Sequence, residues 1–207
     1  MPVTVHLVRH GEVENPKGVI YGRLPGYHLS ERGKRQARAA GLHLANADLV
    51  TVWASPLERA QETAAEIAAP HGLEIVTDDR LIESGNTFEG VGKTVWHLLS
   101  NPAHWWRFRN PLKPSWGESF GDIRARMMEA IAEAAGGAEG REIAIVSHQT
   151  PVIVARLALG RRRVPPWLAR TPCQTGSVTS MKVENGVVLS ASYYFSAEAT
   201  VSGATDS

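Results

Sequence analysis

Cysteine is almost absent from this 207-residue sequence, and its scarcity excludes several kinds of chemistry. The single cysteine, Cys173, cannot form a disulfide within the chain, and no cluster of cysteines and histidines has the spacing of a zinc site. Cys173 lies between Pro172 and Gln174 with no basic loop after it, so we do not expect a cysteine-based phosphatase or protease. The sequence therefore predicts neither a disulfide framework nor a metal centre.

An excess of one charge and a long apolar run are also missing. The 22 lysines and arginines nearly balance the 21 acidic residues, and the net charge of +1 gives no basic field that would favour nucleic acid. The first eight residues are too short for a signal peptide and are followed at once by Arg9. The most apolar stretch, Val152–Leu159, contains Arg156 and is far too short to cross a bilayer. We therefore expect a cytoplasmic protein that binds neither nucleic acid nor membranes.

The remaining composition is that of an ordinary globular protein, with 43% apolar and 21% charged residues. Predicted strands alternate with predicted helices, and Asn185-Gly186 between two β-rich runs predicts a hairpin. This pattern predicts an α/β fold, a three-layer α/β/α sandwich whose mostly parallel sheet ends in an antiparallel C-terminal edge hairpin. The predicted strands are Val3–Val8, Leu49–Ala54, Glu74–Thr77, Glu142–Val146, Ser177–Val183 and Val187–Phe195; the predicted helices are Glu31–Asn46, Ser55–Ala68, Ser119–Gly136 and Thr150–Gly160.

Local capping signals mark the second predicted helix most clearly. Ser55 is predicted as its N-cap, Pro56 as its first helical residue, and Glu58 as the acid that completes a capping box. On this interpretation, helix geometry alone accounts for all three residues.

Segment 86–116 differs in composition from the rest of the chain. It holds four of the six tryptophans, several prolines and four basic side chains. We interpret it as an insertion in a single domain spanning residues 1–195, either packed on the sheet edge or forming a cap over a ligand site. An exposed aromatic patch on it would offer a route to a homodimer. Residues 196–207 are small and polar, and we expect a flexible tail.

Two histidines directly follow predicted buried strands, His10 after the first and His148 after the fourth. Ligands of an open α/β sheet bind beyond the carboxyl ends of its strands, so the fold could bring both imidazoles to one edge. Arg9 precedes His10, and Arg59 lies in the first turn of a helix that also begins at a strand's end. Together these four side chains would form a pocket for a dianionic oxyanion, most naturally phosphate.

Each of these residues has a simpler explanation when it is taken alone. A lone histidine at a strand end is more often a hydrogen-bonded structural residue than a catalyst, and Arg59 alone would be a solvated helix arginine. Arg9 is harder to explain in this way, because a charge that ends an apolar strand is costly unless it is paired or hydrated. The prediction therefore depends on convergence at one edge.

Several short blocks of sequence follow one another in an order that a known family shares. They are Leu7-Val8-Arg9-His10-Gly11-Glu12; Gly22-Arg23, Leu29-Ser30, Gly33 and Gln36-Ala37; Ser55-Pro56-Leu57-Glu58-Arg59-Ala60 and Thr63-Ala64; Leu81-Ile82-Glu83 and Phe88-Glu89-Gly90; Gly117-Glu118-Ser119; and Val146-Ser147-His148. In these blocks the chain resembles the histidine phosphatase superfamily, also called the phosphoglycerate-mutase-like family. The resemblance extends from Val3 to about Phe195.

The resemblance implies a role for each of the four converging residues. His10 would be the nucleophile that attacks phosphorus and becomes a phosphohistidine. Arg9, Arg59 and His148 would hold the equatorial oxygens of the phosphoryl group. These cationic side chains would replace a metal ion, so neither a metal nor another cofactor is expected.

Further residues are assigned by the same resemblance. Glu83 would protonate the departing oxygen and then take a proton from the hydrolytic water, with Glu89 as the alternative acid. Asn15 and Gly22 would contribute to the phosphate-binding or substrate-binding pocket, and so would Gln149, which replaces the glycine that commonly follows the second histidine of the family.

The resemblance implies a metal-independent phosphatase, a hydrolase of the histidine acid phosphomonoesterase type whose partner is a small-molecule phosphate ester. A phosphoglycerate mutase-type isomerase is the alternative, although a mutase calls for a longer and more basic lid than segment 86–116. A non-catalytic phosphate-binding regulatory module is a third possibility. Such a module would be expected to lack the nucleophile or the acid.

Overall fold

The computed structural model, which describes residues 1–85, 89–90, 117–164 and 171–196, contains a six-stranded sheet. The strands are β1 (Val3–Arg9), β2 (Leu49–Ala54), β3 (Ile75–Thr77), β4 (Glu142–Ser147), β5 (Val178–Glu184) and β6 (Val187–Tyr194). Their order across the sheet is β3-β2-β4-β1-β5-β6. The pairs formed among β1 to β4 are parallel, whereas β5 pairs antiparallel with both β1 and β6.

Four α-helices accompany the sheet in the described ranges. They are α1 (Glu31–Leu44), α2 (Glu58–Ala68), α3 (Phe120–Gly136) and α4 (Gln149–Leu159), and two short 3₁₀ turns lie at Ala69–His71 and Asp79–Leu81. The hydroxyl of Ser30 accepts a hydrogen bond from the Gly33 amide and so caps α1. Ser119 caps α3 in the same way through the Asp122 amide.

The core divides into two apolar clusters that follow the alternation of side chains along the strands. In β4, Ile143 and Ile145 belong to the cluster that contains residues of α3 and α4. Their neighbours Ala144 and Val146 belong to the cluster that contains residues of α1 and α2. The chain therefore has a helix layer on each face of the sheet, and the predicted three-layer fold is confirmed.

The C-terminal hairpin is confirmed at its predicted turn. Asn185 and Gly186 have φ values of 50° and 71° between β5 and β6. Two consecutive positive φ angles match the twist of the flanking strands in a two-residue hairpin. The apolar helix predicted after residue 150 is also present as α4, and most of its residues are buried.

The predicted cap of α2 is wrong. The helix begins at Glu58, its N-cap residue is Leu57, and no side chain caps it. The hydroxyl of Ser55 instead lies 2.8 Å from Nε2 of His148. The Glu58 carboxylate accepts a hydrogen bond from the Gly26 amide at 2.9 Å and does not complete a capping box. Ser55 and Glu58 therefore form hydrogen bonds with residues remote in sequence in place of the predicted capping contacts. The first helix also ends at Leu44, two residues before the predicted Asn46.

The predicted Trp-rich insertion at 86–116 lies outside the described residues except for Glu89 and Gly90, and residues 197–207 of the predicted tail also lie outside them. Within the described ranges, no helix is both long and apolar enough to span a membrane.

Candidate active site

The two histidines predicted to converge lie side by side. Strands β1 and β4 are parallel neighbours, with Arg9 in register with Ser147. The residues that directly follow the two strands, His10 and His148, are therefore neighbours as well. The centroids of their rings are 5.0 Å apart. Both side chains are buried. Adjacent parallel strands thus bring together two residues that are remote in sequence.

One nitrogen of His10 is fixed by a backbone contact. Nδ1 lies 2.7 Å from the Gly11 carbonyl oxygen, which can only accept, so Nδ1 carries the proton. Burial, reinforced by the charges of Arg9 and Arg59, holds the pKa of His10 well below its usual value. The ring is therefore neutral near pH 7 and has an unprotonated Nε2. That nitrogen has the lone pair that a nucleophile requires.

The loop that carries His10 is connected directly to α2. The Gly11 amide donates to the hydroxyl of Thr63 at 3.1 Å, and that hydroxyl donates to the Arg59 carbonyl at 2.7 Å. One buried threonine therefore joins the backbone of the loop after His10 to the first turn of the helix that carries Arg59.

Arg59 is buried completely, although it is charged. Its Nη2 donates to the Gly22 carbonyl at 2.6 Å, and its guanidinium lies 4.9 Å from the centre of the Tyr21 ring. Arg9 is held similarly, because its Nη1 donates to the Cys173 carbonyl at 2.6 Å. Within the described part of the chain, neither arginine forms an ion pair with a carboxylate.

Four buried nitrogen atoms near His10 have no hydrogen-bond partner among the described residues. They are Nε of Arg9, Nε and Nη1 of Arg59, and Nδ1 of His148. Buried donors in folded proteins are almost always paired, so a cluster of unpaired ones indicates a position for a ligand that accepts hydrogen bonds. The N-terminus of α4, which begins directly after His148, adds a further preference for negative charge.

A pocket of about 250 Å³ lies beside His10, and of the three residues that carry the unpaired nitrogens, Arg9 lines it. The predicted residues Arg9, His10, Gly22, Glu83 and Gln149 line it. The remaining lining residues, which the sequence analysis did not single out, are Ile20, Tyr21, Ser84 and Thr150. The pocket can hold an oxyanion next to Nε2 of His10.

Comparison with known proteins shows the family of the chain. The family model of the histidine phosphatase superfamily (branch 1) matches residues 5–193. The chain belongs to the histidine phosphatase superfamily.

Related proteins of this superfamily differ in their stated activities. The uncharacterized protein Rv0525 of Mycobacterium tuberculosis is 51% identical over 181 residues, which cover 86% of this chain and 88% of that protein. A 2,3-bisphosphoglycerate-dependent phosphoglycerate mutase of Thermoplasma acidophilum is 41% identical over 159 residues, or 72% of each chain. The structure of mycobacterial glucosyl-3-phosphoglycerate phosphatase superposes with a TM-score of 0.72 at 25% identity and covers 94% of this chain and 97% of that one.

In this member of the histidine phosphatase superfamily, the two candidate acids occupy different environments. Glu83 lines the pocket, and burial raises the pKa of its carboxyl against the opposing effect of hydrogen bonds from Ser84. Glu89 instead accepts a hydrogen bond from the Arg23 amide at 2.9 Å. Its carboxylate also fills the space where Gly22, with φ of 41°, would carry a side chain. Of these two carboxyl groups, the one that lines the pocket is therefore that of Glu83.

Asn15 is the predicted pocket residue that the structure does not bring to the site. Its side chain donates to the Val19 carbonyl at 2.8 Å and accepts from the Val19 amide at 3.2 Å, so it closes a turn in the loop after β1. The side-chain amide of Asn15, which we expected to contact the phosphate, is hydrogen-bonded to the backbone of Val19 instead.

Arg23 is a residue of this site to which the sequence analysis assigned no role. Its Nε donates to the Glu83 carbonyl at 2.7 Å, and its Nη2 lies 2.9 Å from the Glu118 carboxylate. Arg126 also donates to Glu118, at 2.7 Å and 3.0 Å. This network joins the backbone of Glu83 to the start of α3. Arg23 belongs to the Gly22-Arg23 block of the resemblance, which was the available signal. Its partners Glu83 and Glu118 are remote in sequence, so no neighbouring residue indicated them.

Proposed function

We propose that this protein is a metal-independent phosphatase that hydrolyses a small-molecule phosphate monoester through a phosphohistidine at His10. The observation that carries the proposal is the cluster of four unpartnered cationic or neutral donors from Arg9, Arg59 and His148 beside an unprotonated imidazole nitrogen. Such a cluster suits a phosphoryl group, because three oxygens with developing negative charge can accept from it at once.

The first step transfers the phosphoryl group to the protein. Nε2 of His10 attacks phosphorus, the bond between phosphorus and the ester oxygen breaks, and its electron pair stays on that oxygen. Glu83 in its protonated form gives this oxygen a proton, so a neutral alcohol leaves. The raised pKa of Glu83 keeps part of the carboxyl protonated at a pH where an ordinary glutamate is ionised.

The second step returns His10 to its starting state. The Glu83 carboxylate now takes a proton from a water molecule, and the water oxygen attacks phosphorus. The bond between phosphorus and nitrogen breaks, its electrons return to Nε2, and inorganic phosphate leaves. Arg9, Arg59 and His148 hold the transferred oxygens in both steps, so the same donors stabilise both transition states.

A phosphoglycerate mutase is the second candidate, and the 41% identity to a protein of that name favours it. A mutase and a phosphatase would share the phosphohistidine. They differ in the acceptor of the second step, which is a hydroxyl of the bound substrate in a mutase and water in a phosphatase.

The test is a panel of physiological phosphomonoesters incubated with the protein in the presence of a metal chelator, with released phosphate measured. We expect release from at least one ester, and a loss of about a thousandfold or more in His10→Ala. A parallel reaction with 3-phosphoglycerate, primed with 2,3-bisphosphoglycerate, detects isomerisation. Isomerisation faster than phosphate release would favour the mutase, and binding without turnover would favour the non-catalytic module.

A further inference from the structure

Ser55 is a buried serine whose position is fixed from three sides. It follows the last residue of β2, and its amide donates to the Val146 carbonyl at the end of β4 at 3.0 Å. The side-chain amide of Gln61 donates to its carbonyl at 2.7 Å. Its hydroxyl is fully buried and lies 2.8 Å from Nε2 of His148. The backbone therefore holds this hydroxyl against one nitrogen of one of the phosphate-site residues.

The direction of this hydrogen bond follows from the other contact of the hydroxyl. The Leu57 amide donates to Oγ of Ser55 at 3.4 Å, so the oxygen already acts as an acceptor. A serine hydroxyl has one proton to donate, and a buried proton needs an acceptor. Among the described residues, the side-chain hydrogen bond left for that proton is the one to Nε2 of His148. Ser55 is then the donor, and Nε2 has the lone pair.

The state of the other nitrogen of His148 depends on this bond. A neutral imidazole carries one proton, so a proton acceptor at Nε2 leaves the proton on Nδ1. Burial, together with the positive charges of Arg59 and Arg9, lowers the pKa of His148 and keeps the ring neutral. Nδ1 is the buried nitrogen without a partner in the anion site. If the proton were on Nε2 instead, Nδ1 would present a lone pair to the anion, and the contact would be repulsive.

We propose that Ser55 is a positioning residue that holds His148 in the Nδ1–H form, so that His148 donates a hydrogen bond to the phosphoryl group. This inference rests on the proposed function, because it takes the anion of the site to be phosphate. In this role Ser55 sets the tautomer of His148 and does not itself contact the phosphoryl group. This differs from the helix cap that the sequence predicted for Ser55.

Nitrogen-15 NMR of the histidine rings tests the proposal without requiring turnover. Two-bond couplings to the ring protons distinguish the Nδ1–H tautomer, the Nε2–H tautomer and the doubly protonated ring. We expect the Nδ1–H form for His148 in the unmodified protein and a shift towards the Nε2–H form in Ser55→Ala. Ser55→Thr keeps a hydroxyl and should restore the original pattern.

The matched control is Ser180→Ala. The hydroxyl of Ser180 lies 2.8 Å from Nδ1 of the buried His6, and Nε2 of that ring lies 2.6 Å from Glu142. This variant removes the same kind of contact from a histidine away from the phosphate site. It should alter the His6 signals and leave those of His148 unchanged.

The second measurement is the dissociation constant of inorganic phosphate, by calorimetry, for the same variants. Loss of one oriented donor to an anion should weaken binding about tenfold in Ser55→Ala, with Ser55→Thr and Ser180→Ala close to the unmodified protein. An Nε2–H or doubly protonated His148 in the unmodified protein would overturn the proposal, as would an unchanged tautomer in Ser55→Ala. If the unmodified protein binds no phosphate but shows the Nδ1–H form, the proposed function fails and the tautomer assignment stands.

Discussion

At the scale of single residues, the site contains the fully buried Arg59 and the partly buried Arg9, and neither arginine has a counter-ion among the described residues. Arg59 is inaccessible to solvent, and among the described residues its guanidinium makes one hydrogen bond, to a carbonyl oxygen. An arginine in this position costs several kcal/mol of folding free energy unless an anion accompanies it. The positive charges of Arg9 and Arg59 add to the effect of burial in lowering the pKa values of His10 and His148, and so help to keep both rings neutral. The features that weaken the unliganded fold are those that suit a phosphoryl group.

The role of Glu83 leads to a prediction about pH. Glu83→Gln keeps the shape of the side chain but removes the transferable proton, so kcat should fall about 10²-fold to 10⁴-fold on alkyl phosphates. Because the first step requires protonated Glu83, kcat/KM of the unmodified protein should decline as the pH rises above the raised pKa of this carboxyl. This decline should be absent in the variant.

Glu89→Gln is the control for this measurement, since the Glu89 carboxylate is engaged by the Arg23 amide. It should retain the alkaline decline in kcat/KM. If the decline disappears in Glu89→Gln and persists in Glu83→Gln, Glu89 is the acid and the assignment is reversed.

At the scale of secondary-structure elements, α1 supports the nucleophile's loop through two glycines. A Cβ built on Gly33 would overlap the carbonyl oxygen of Glu12, and one built on Gly11 would overlap the carbonyl of Gly33. The Glu12 amide in turn donates to the side chain of Gln36 at 2.8 Å. The backbone after His10 therefore packs directly on the first turns of α1, with no side chain between them.

Gly33→Ala should consequently disturb both stability and activity. Its methyl group meets backbone atoms that cannot rotate away, so we expect a loss of about 1–3 kcal/mol in the free energy of unfolding and a lower kcat. Gly136→Ala is the control, because a Cβ at the last residue of α3 meets no atom within 4 Å. Urea unfolding and phosphate release measure the two effects. Equal stability and activity of the two variants would contradict the proposed contact.

Turns and strand bounds set by neighbouring residues could be predicted from the sequence, whereas side-chain hydrogen bonds between remote residues could not. The bounds of β2 and the turn at Asn185-Gly186 were predictable, because they depend on neighbouring residues. Ser55 was assigned wrongly, because its true partner, His148, is remote in sequence while a plausible cap target lies nearby. Asn15 was displaced from the predicted pocket by a contact four residues away. Local rules thus gave the framework, and the side-chain partners within it depended on tertiary structure.

At the scale of the whole molecule, the site exists because the chain order and the sheet order differ. β4 is inserted between β1 and β2, so the residues that follow these three strands meet at one edge. His10 follows β1, His148 follows β4, and Ser55 and Arg59 follow β2. The rule that ligands bind at the carboxyl ends of parallel strands was enough to predict the location. It could not predict the orientation of each ring nitrogen, which depends on single hydrogen bonds.

The most direct test of the account is to identify the residue that carries phosphate during turnover. A reaction with a labelled phosphate ester, run with chelator and quenched in base within milliseconds, preserves a phosphohistidine for mapping by mass spectrometry. We predict label on His10, formed and lost at rates compatible with kcat, and none in His10→Ala. Label on a different residue, or phosphate release with no phosphorylated protein at any time, would contradict the account.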